Sequence, residues 1–171
     1  MKIALVILAA LGTFICVVLL IGAFLPRAHV ASREMFLHCS PPDVYGVVRD
    51  FASAPTWRTD VKAVELLEPV DGHVRFREDS SNGRITYELV EDAANEKLVT
   101  RIVDRDLGYF GSWTYEFVPA DGGTRVRITE SGEVPNVLFR FMSRFVFGHT
   151  ATMDAYLRAL GRKFGEEVAP K

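Results

Sequence analysis

Residues 3–25 run Ile-Ala-Leu-Val-Ile-Leu-Ala-Ala-Leu-Gly-Thr-Phe-Ile-Cys-Val-Val-Leu-Leu-Ile-Gly-Ala-Phe-Leu without a charged side chain. No face of this stretch is polar, so it does not suit a helix lying against a soluble core. At about 1.5 Å per residue it extends roughly 34 Å as a helix, enough for a hydrocarbon layer of about 30 Å. A cleaved secretory signal is the competing reading. Its apolar region is ordinarily about 7–15 residues long and ends at a small-x-small site. Here the run is longer and closes on Phe24-Leu25-Pro26, which is poor cleavage chemistry. The sequence therefore predicts an uncleaved, single-pass transmembrane anchor from Ile3 to Leu25, stopped by Pro26. Lys2 on one side and Arg27 and Arg33 on the other give too little asymmetry to orient it, so sidedness stays open.

Taking 1–26 as anchor and 27–31 as a short linker leaves one domain of ordinary size at 32–166 and a tail at 167–171. Seven segments within that domain read as strands: 32–38, 61–67, 74–79, 84–91, 97–104, 112–119 and 123–133. Turn signals at Asp71-Gly72, Ser81-Asn82-Gly83 and Asp121-Gly122 join them closely, which argues an antiparallel sheet. Alternation assigns faces. Trp113, Tyr115 and Phe117 share a side, as do Val126 and Ile128, Ile85, Tyr87 and Leu89, and Val74 with Phe76. Ser40-Pro41-Pro42-Asp43 starts an N-capped helix of two to three turns, and residues 50–57 form a second short helical turn. From Pro135 to Phe164, Leu138, Phe141, Met142, Phe145, Met153, Tyr156, Leu157, Leu160 and Phe164 recur at helical spacing. Gly148 interrupts them, predicting a short helix, a kink and a longer helix from about His149. The apolar face of the sheet needs a cover, and this C-terminal helix is the element long enough to supply it, so the fold class is α+β.

The order of elements resembles the START-like (SRPBCC) superfamily, and within it the polyketide cyclase/dehydrase and lipid-transport group. The likeness rests on Ser40-Pro41-Pro42-Asp43-Val44-Tyr45, Asp50-Phe51 with Pro55-Thr56-Trp57, Gly111-Ser112-Trp113-Thr114-Tyr115-Glu116 and Ile128-Thr129-Glu130, and covers residues 31–165. It implies a helix-grip fold, a curved seven-stranded sheet around a long C-terminal helix, with an apolar cavity for lipids, polyketides, plant hormones or quinones. The anchor lies outside the usual single-domain pattern.

Period two puts Glu130 on the face of Val126 and Ile128. An interior carboxylate there is either a polar anchor or general acid at the base of an apolar pocket, or it turns outward at a bulge near Gly132 and pairs with an arginine. Arg101 is the candidate partner, unless Leu98, Thr100 and Ile102 own the inner face. Trp57, Phe76, Tyr87, Trp113, Tyr115, Phe141 and Phe145 form an aromatic set that either lines a pocket or fills a core. The Gly108-Tyr109-Phe110-Gly111 loop gates the mouth, meets the bilayer, or caps the core. Arg140, Arg144, Arg158 and Arg162 read as a solvated helix face or, given the tether, as a membrane-proximal basic one. His29, His38, His73 and His149 are scattered, so no metal site is expected, and no cofactor fingerprint is present. A net charge of −2 argues against nucleic acid as a partner. Cys16 and Cys39 fall in different parts of the chain and are expected to stay free; oligomeric state is not legible.

The expected function is binding of a hydrophobic small molecule or lipid between sheet and C-terminal helix, without chemistry. The alternatives are a cyclase or dehydratase in which Glu130, aided by Tyr87 or Tyr115, moves protons, and an interaction module whose cavity has closed.

Overall fold

The computed structural model describes residues 2–148 and 150–171. The uncharged run forms one helix, α1 (Lys2–Phe24), of which only Val18 and Gly22 are buried. It is long and apolar enough to cross a membrane. Strand β1 (Ala28–Leu37) begins directly after it. The strand therefore starts before the expected Ser32 and absorbs most of the predicted linker. The reason is its partner: β7 (Gly123–Glu133) pairs with β1 along the full length, from Ala28 opposite Glu133 to Leu37 opposite Thr124.

Ser40 caps α2 (Pro41–Arg49), its hydroxyl accepting from the Asp43 amide at 3.4 Å, with prolines in the first turn where an amide is not needed. A 3-10 turn follows at Phe51–Thr56. Then come β2 (Val61–Val70), β3 (His73–Ser80), β4 (Gly83–Ala93), β5 (Lys97–Ile102), β6 (Phe110–Ala120) and β7. All seven strands are antiparallel, in the order β1-β7-β6-β5-β4-β3-β2. Asp71 and Gly72 both take positive φ (52° and 80°), as a tight hairpin requires. Register shifts occur between Val61 and Ala63, Leu67 and Val70, and Leu89 and Glu91, irregularities of the kind that bend and twist a strand.

The C-terminal cover is two elements. Helix α3 (Val137–Met142) runs into a π-helical turn at Ser143–Phe147, Gly148 takes φ +73°, and α4 (Ala151–Lys163) follows. The start expected at His149 lies outside the described residues. Only α4 packs in the sheet, where Met153, Leu157 and Leu160 meet Leu37, Val44, Leu98, Phe117, Val126 and Ile128 in a fully buried core. Arg33, inward on β1, ties α4 down through Asp154 (3.0 Å) and the Thr150 hydroxyl (3.1 Å). Helix α3 packs on α1 instead. There Arg140, expected on a solvated face, is buried: its Nη1 donates to the Leu25 carbonyl (2.9 Å) and its Nη2 to that of Pro135 (3.2 Å). A cation on the last carbonyl of a helix suits the negative end of the helix dipole. The predicted tail is also placed. Lys171 and Glu34 exchange backbone hydrogen bonds of 2.9 Å, and Val168 packs against Gly161, so the outer edge of β1 is covered.

On the convex face Glu88 is 3% exposed and lies between two arginines, accepting from Arg75 Nε (2.8 Å) and Arg101 Nη2 (2.7 Å). Arg101 is thus on the outer face and is not the partner of Glu130. The Arg75 hydrogen bond, reinforced by Arg101 against the cost of burial, holds the Glu88 carboxyl below its ordinary value. A carboxyl lowered on folding stabilises the native state above its unfolded pKa and loses that contribution as pH falls through the native value. Glu88→Gln is expected to be less stable than the parent chain at pH 7, with the gap narrowing as pH falls below the ordinary carboxylate range, as read by urea unfolding across that range.

Candidate functional site

The inward side chains of the central strands change from packing to lining as the sheet approaches the end where α1 joins. Phe117, Leu98 and Leu89 are core, whereas Trp113, Thr100, Ile102, Tyr87 and Ile85 on the same strands face open space. The cavity they border measures about 430 Å³. Val48 of α2, Phe51, Ala54 and Trp57 of the following turn, Tyr156 of α4 and Phe139 of α3 complete its wall. The rings interlock. Phe51 stacks on Phe76 at 4.1 Å, Phe76 on Tyr87 at 5.3 Å, and the Tyr156 ring lies edge-on to Trp57 (5.3 Å) and Trp113 (5.8 Å).

Two polar stations interrupt this apolar wall. At the first, Glu130 keeps the inward direction that period two assigns it. Its Oε1 lies 2.9 Å from His29 Nε2, and its Oε2 accepts from Trp113 Nε1 at 2.7 Å. His29 stands opposite Gly132 in the β1–β7 ladder, and a β-carbon at Gly132 would overlap the imidazole ring. At the second, Arg58 Nη1 donates to Glu78 Oε2 (2.8 Å) and Nη2 to Asp60 Oδ2 (2.6 Å), with the guanidinium 5.1 Å from the centre of the Tyr156 ring. Burial works against the Arg58 charge, but the Asp60 hydrogen bond and the Glu78 charge outweigh it and raise its pKa. Burial, more than any neighbour, also pushes the phenols of Tyr87, Tyr115 and Tyr156 up, so all three stay protonated at neutral pH and offer O–H donors. Trp57 Nε1 is buried without a hydrogen-bond partner among the described residues.

The structure brings Trp57, Phe76, Tyr87, Trp113, Tyr115 and Glu130 together on the cavity wall. It leaves out Phe141 and Phe145, whose rings contact each other at 4.9 Å, Phe145 being 59% exposed. The expected break at Gly148 is present, but the part before it does not cover the sheet: Phe141 and Phe145 belong to the segment that begins with α3, which packs on α1. Phe139 lines the cavity in their stead, with Tyr109 and Phe110 of the glycine-flanked loop. Sequence reasoning missed three polar residues. Glu78 follows Val74 and Phe76 at period two and was open to the argument applied to Glu130. His29 lay in the expected linker, where no face was assigned. Arg58 carried no signal, because its direction depends on the turn before it.

A family model described as polyketide cyclase / dehydrase and lipid transport matches residues 28–165. Among solved structures, a START superfamily protein from Mycobacterium smegmatis has a TM-score of 0.64 at 18% identity, over 80% of this chain and 97% of that one. The ZhuI aromatase/cyclase from Streptomyces sp. R1128 gives 0.66 at 14% identity, over 80% and 93%. The di-domain aromatase/cyclase StfQ of the steffimycin biosynthetic pathway gives 0.65 at 15% identity, over 78% of this chain and 50% of that one, so this chain spans half of it. At such identities these likenesses establish the fold alone. No curated protein matches the sequence.

Removing one member of a buried charge cluster leaves the others less well compensated in a poor solvent. Glu78→Leu leaves Arg58 with Asp60 as its carboxylate partner and is expected to cost about 1–3 kcal/mol, and Arg58→Leu with Glu78→Leu together to differ from the sum of the two single changes. Thermal unfolding of the detergent-solubilised full chain, followed by tryptophan fluorescence, checks both.

Proposed function

The chain belongs to the polyketide cyclase / dehydrase and lipid transport family, and from that premise we propose that it is a membrane-anchored protein that binds an apolar small molecule or lipid between its sheet and α4. The observation that carries this reading is the aromatic-walled cavity of about 430 Å³, a size within the range of small-ligand sites. Removal of apolar surface from water drives binding, at about 25 cal/mol per Å² before the costs of association. Orientation comes from the two polar stations, Glu130 with His29 and Arg58 with Glu78. Trp57, Phe76, Tyr87, Trp113, Tyr115 and Glu130 are the proposed ligand-binding residues. Phe141 and Phe145 are not.

The junction with α1 supports retention of the helix as an anchor comprising residues 1–26. Gly22 lies against the Val137 backbone so closely that a β-carbon would overlap its carbonyl oxygen. Cleavage of α1 would also take the Leu25 carbonyl from the buried Arg140 guanidinium.

A specific contact favours a second reading. Glu130 and His29 form an acid–base pair 2.9 Å apart at the cavity wall, within the reach that general acid–base chemistry needs. ZhuI and StfQ are described as aromatase/cyclases. In a cyclase or dehydratase of this kind, Glu130 takes a proton from the bound molecule and returns it to the departing or newly formed oxygen, while Tyr87 or Tyr115, held as neutral phenols, hydrogen-bond the reacting oxygen.

Native mass spectrometry with solvent extraction on the full chain, purified gently from its own membranes, is expected to show one discrete class of apolar molecule. Protein that is empty, and refuses ligand while folded, would overturn the binding reading. Glu130→Gln separates the two readings. A binder should keep its molecule with affinity changed by about tenfold or less, whereas an enzyme should retain the molecule and lose turnover.

A further inference from the structure

We infer that residues 137–147 lie in the interfacial layer of the bilayer and that the cavity opens onto it, so that ligand passes between membrane and cavity without crossing bulk water. This rests on the reading of α1 as a retained anchor and of the cavity as a ligand site.

Three independent features of the molecule point the same way. The first is the register. Ala28 and Phe110 both pair with Glu133, so the sheet end joined to α1 is also the end that carries His29, Phe110, Gly111, Glu130 and Gly132 of the cavity. The opposite end, with the β6–β7 turn at Asp121, points away from the span.

The second is depth. Val18 and Gly22 are the buried residues of α1, and Gly22 abuts Val137 of α3. They lie within the last two turns of α1, so α3 sits within roughly 10 Å of the end of the span, at the boundary of headgroup and acyl chain. Arg140 fixes this placement by bonding to the Leu25 carbonyl.

The third is chemistry. Leu138 (50% exposed), Phe139 (50%), Phe145 (59%) and Val146 (58%) crowd this one short segment with unburied apolar surface, and the exposed Arg144 lies among them. Apolar side chains beside a basic one are what an interfacial segment presents to lipid. Phe139 and Ser143 of the same segment line the cavity, and Phe110, itself partly exposed, lines it from the β5–β6 side. The surface that meets lipid is therefore also the rim of the cavity.

The test uses the full chain with Cys16→Ala and Cys39→Ala, reconstituted in phosphatidylcholine vesicles. An environment-sensitive fluorophore is attached singly at Gly12→Cys, Phe110→Cys, Asp121→Cys or Phe145→Cys. Each label is quenched by phosphatidylcholine carrying a nitroxide at a shallow or deep position, or by aqueous iodide. The labels at 145 and 110 are expected to be quenched by the shallow lipid at least about threefold more than the label at 121, and to be shielded from iodide. Lipid quenching at 12 with labels at 145 and 110 as iodide-accessible as that at 121 would overturn this inference while leaving the anchor intact. Absence of lipid quenching at 12 would overturn the anchor, and this inference with it. A cavity found empty by mass spectrometry would remove the ligand reading while leaving the interfacial placement standing.

Discussion

The ladder between β1 and β7 is the constraint on which the other parts depend. It joins the strand nearest the span to the strand nearest the C-terminal helices, so one set of backbone hydrogen bonds fixes both ends of the chain to the same side of the sheet. Its inward residues are the ones that matter. His29 reaches over Gly132 to Glu130, Arg33 anchors α4, and Met35 and Leu37 enter the core. Slip this pairing by one residue and every one of those side chains changes face. On the outer edge of β1 the backbone of Lys171 pairs with Glu34, while β2 is the edge strand at the other side of the sheet.

The cavity keeps Arg58, Glu78 and Glu130 inside an apolar chamber by giving each a partner at hydrogen-bond distance. Arg58 has Asp60 and Glu78; Glu130 has His29 and Trp113. The three phenols contribute polarity without adding charge. A wall built in this way accepts a mostly apolar molecule and still distinguishes its ends. Much of the cavity wall is made of rings in contact with one another, which lose little conformational freedom when a molecule enters.

Most of the sheet was legible because alternation along a strand is a strict code. Trp113, Tyr115 and Phe117 could face only one way once Val126 and Ile128 were placed, and Glu130 followed from the same count. Glu78 obeys the same code, but it stands among Arg75, Arg77 and Asp79, and the surrounding charge disguised an inward face. His29 needed the register of β1 against β7, a long-range fact that no local pattern carries. The break at Gly148 was legible from Leu138 to Phe164, but periodicity does not say what each part packs on. Both were assigned to the sheet, whereas Phe141 and Phe145 belong to the part that begins with α3, which packs on α1. The buried Arg140 shows the same limit: a charge on a helix reads as solvated until a carbonyl from another helix is found beside it.

Gly148 divides the cavity wall between two bodies. Phe139 and Ser143 belong to the part fastened to α1, and Thr152 and Tyr156 to the part fastened to the sheet. On the proposed reading of α1 as an anchor, its tilt would answer to the thickness of the bilayer around it. A thinner membrane would then shift one jaw of the chamber relative to the other, which the strands hold. The width of the opening would be a mechanical property of the surrounding lipid as well as of the fold.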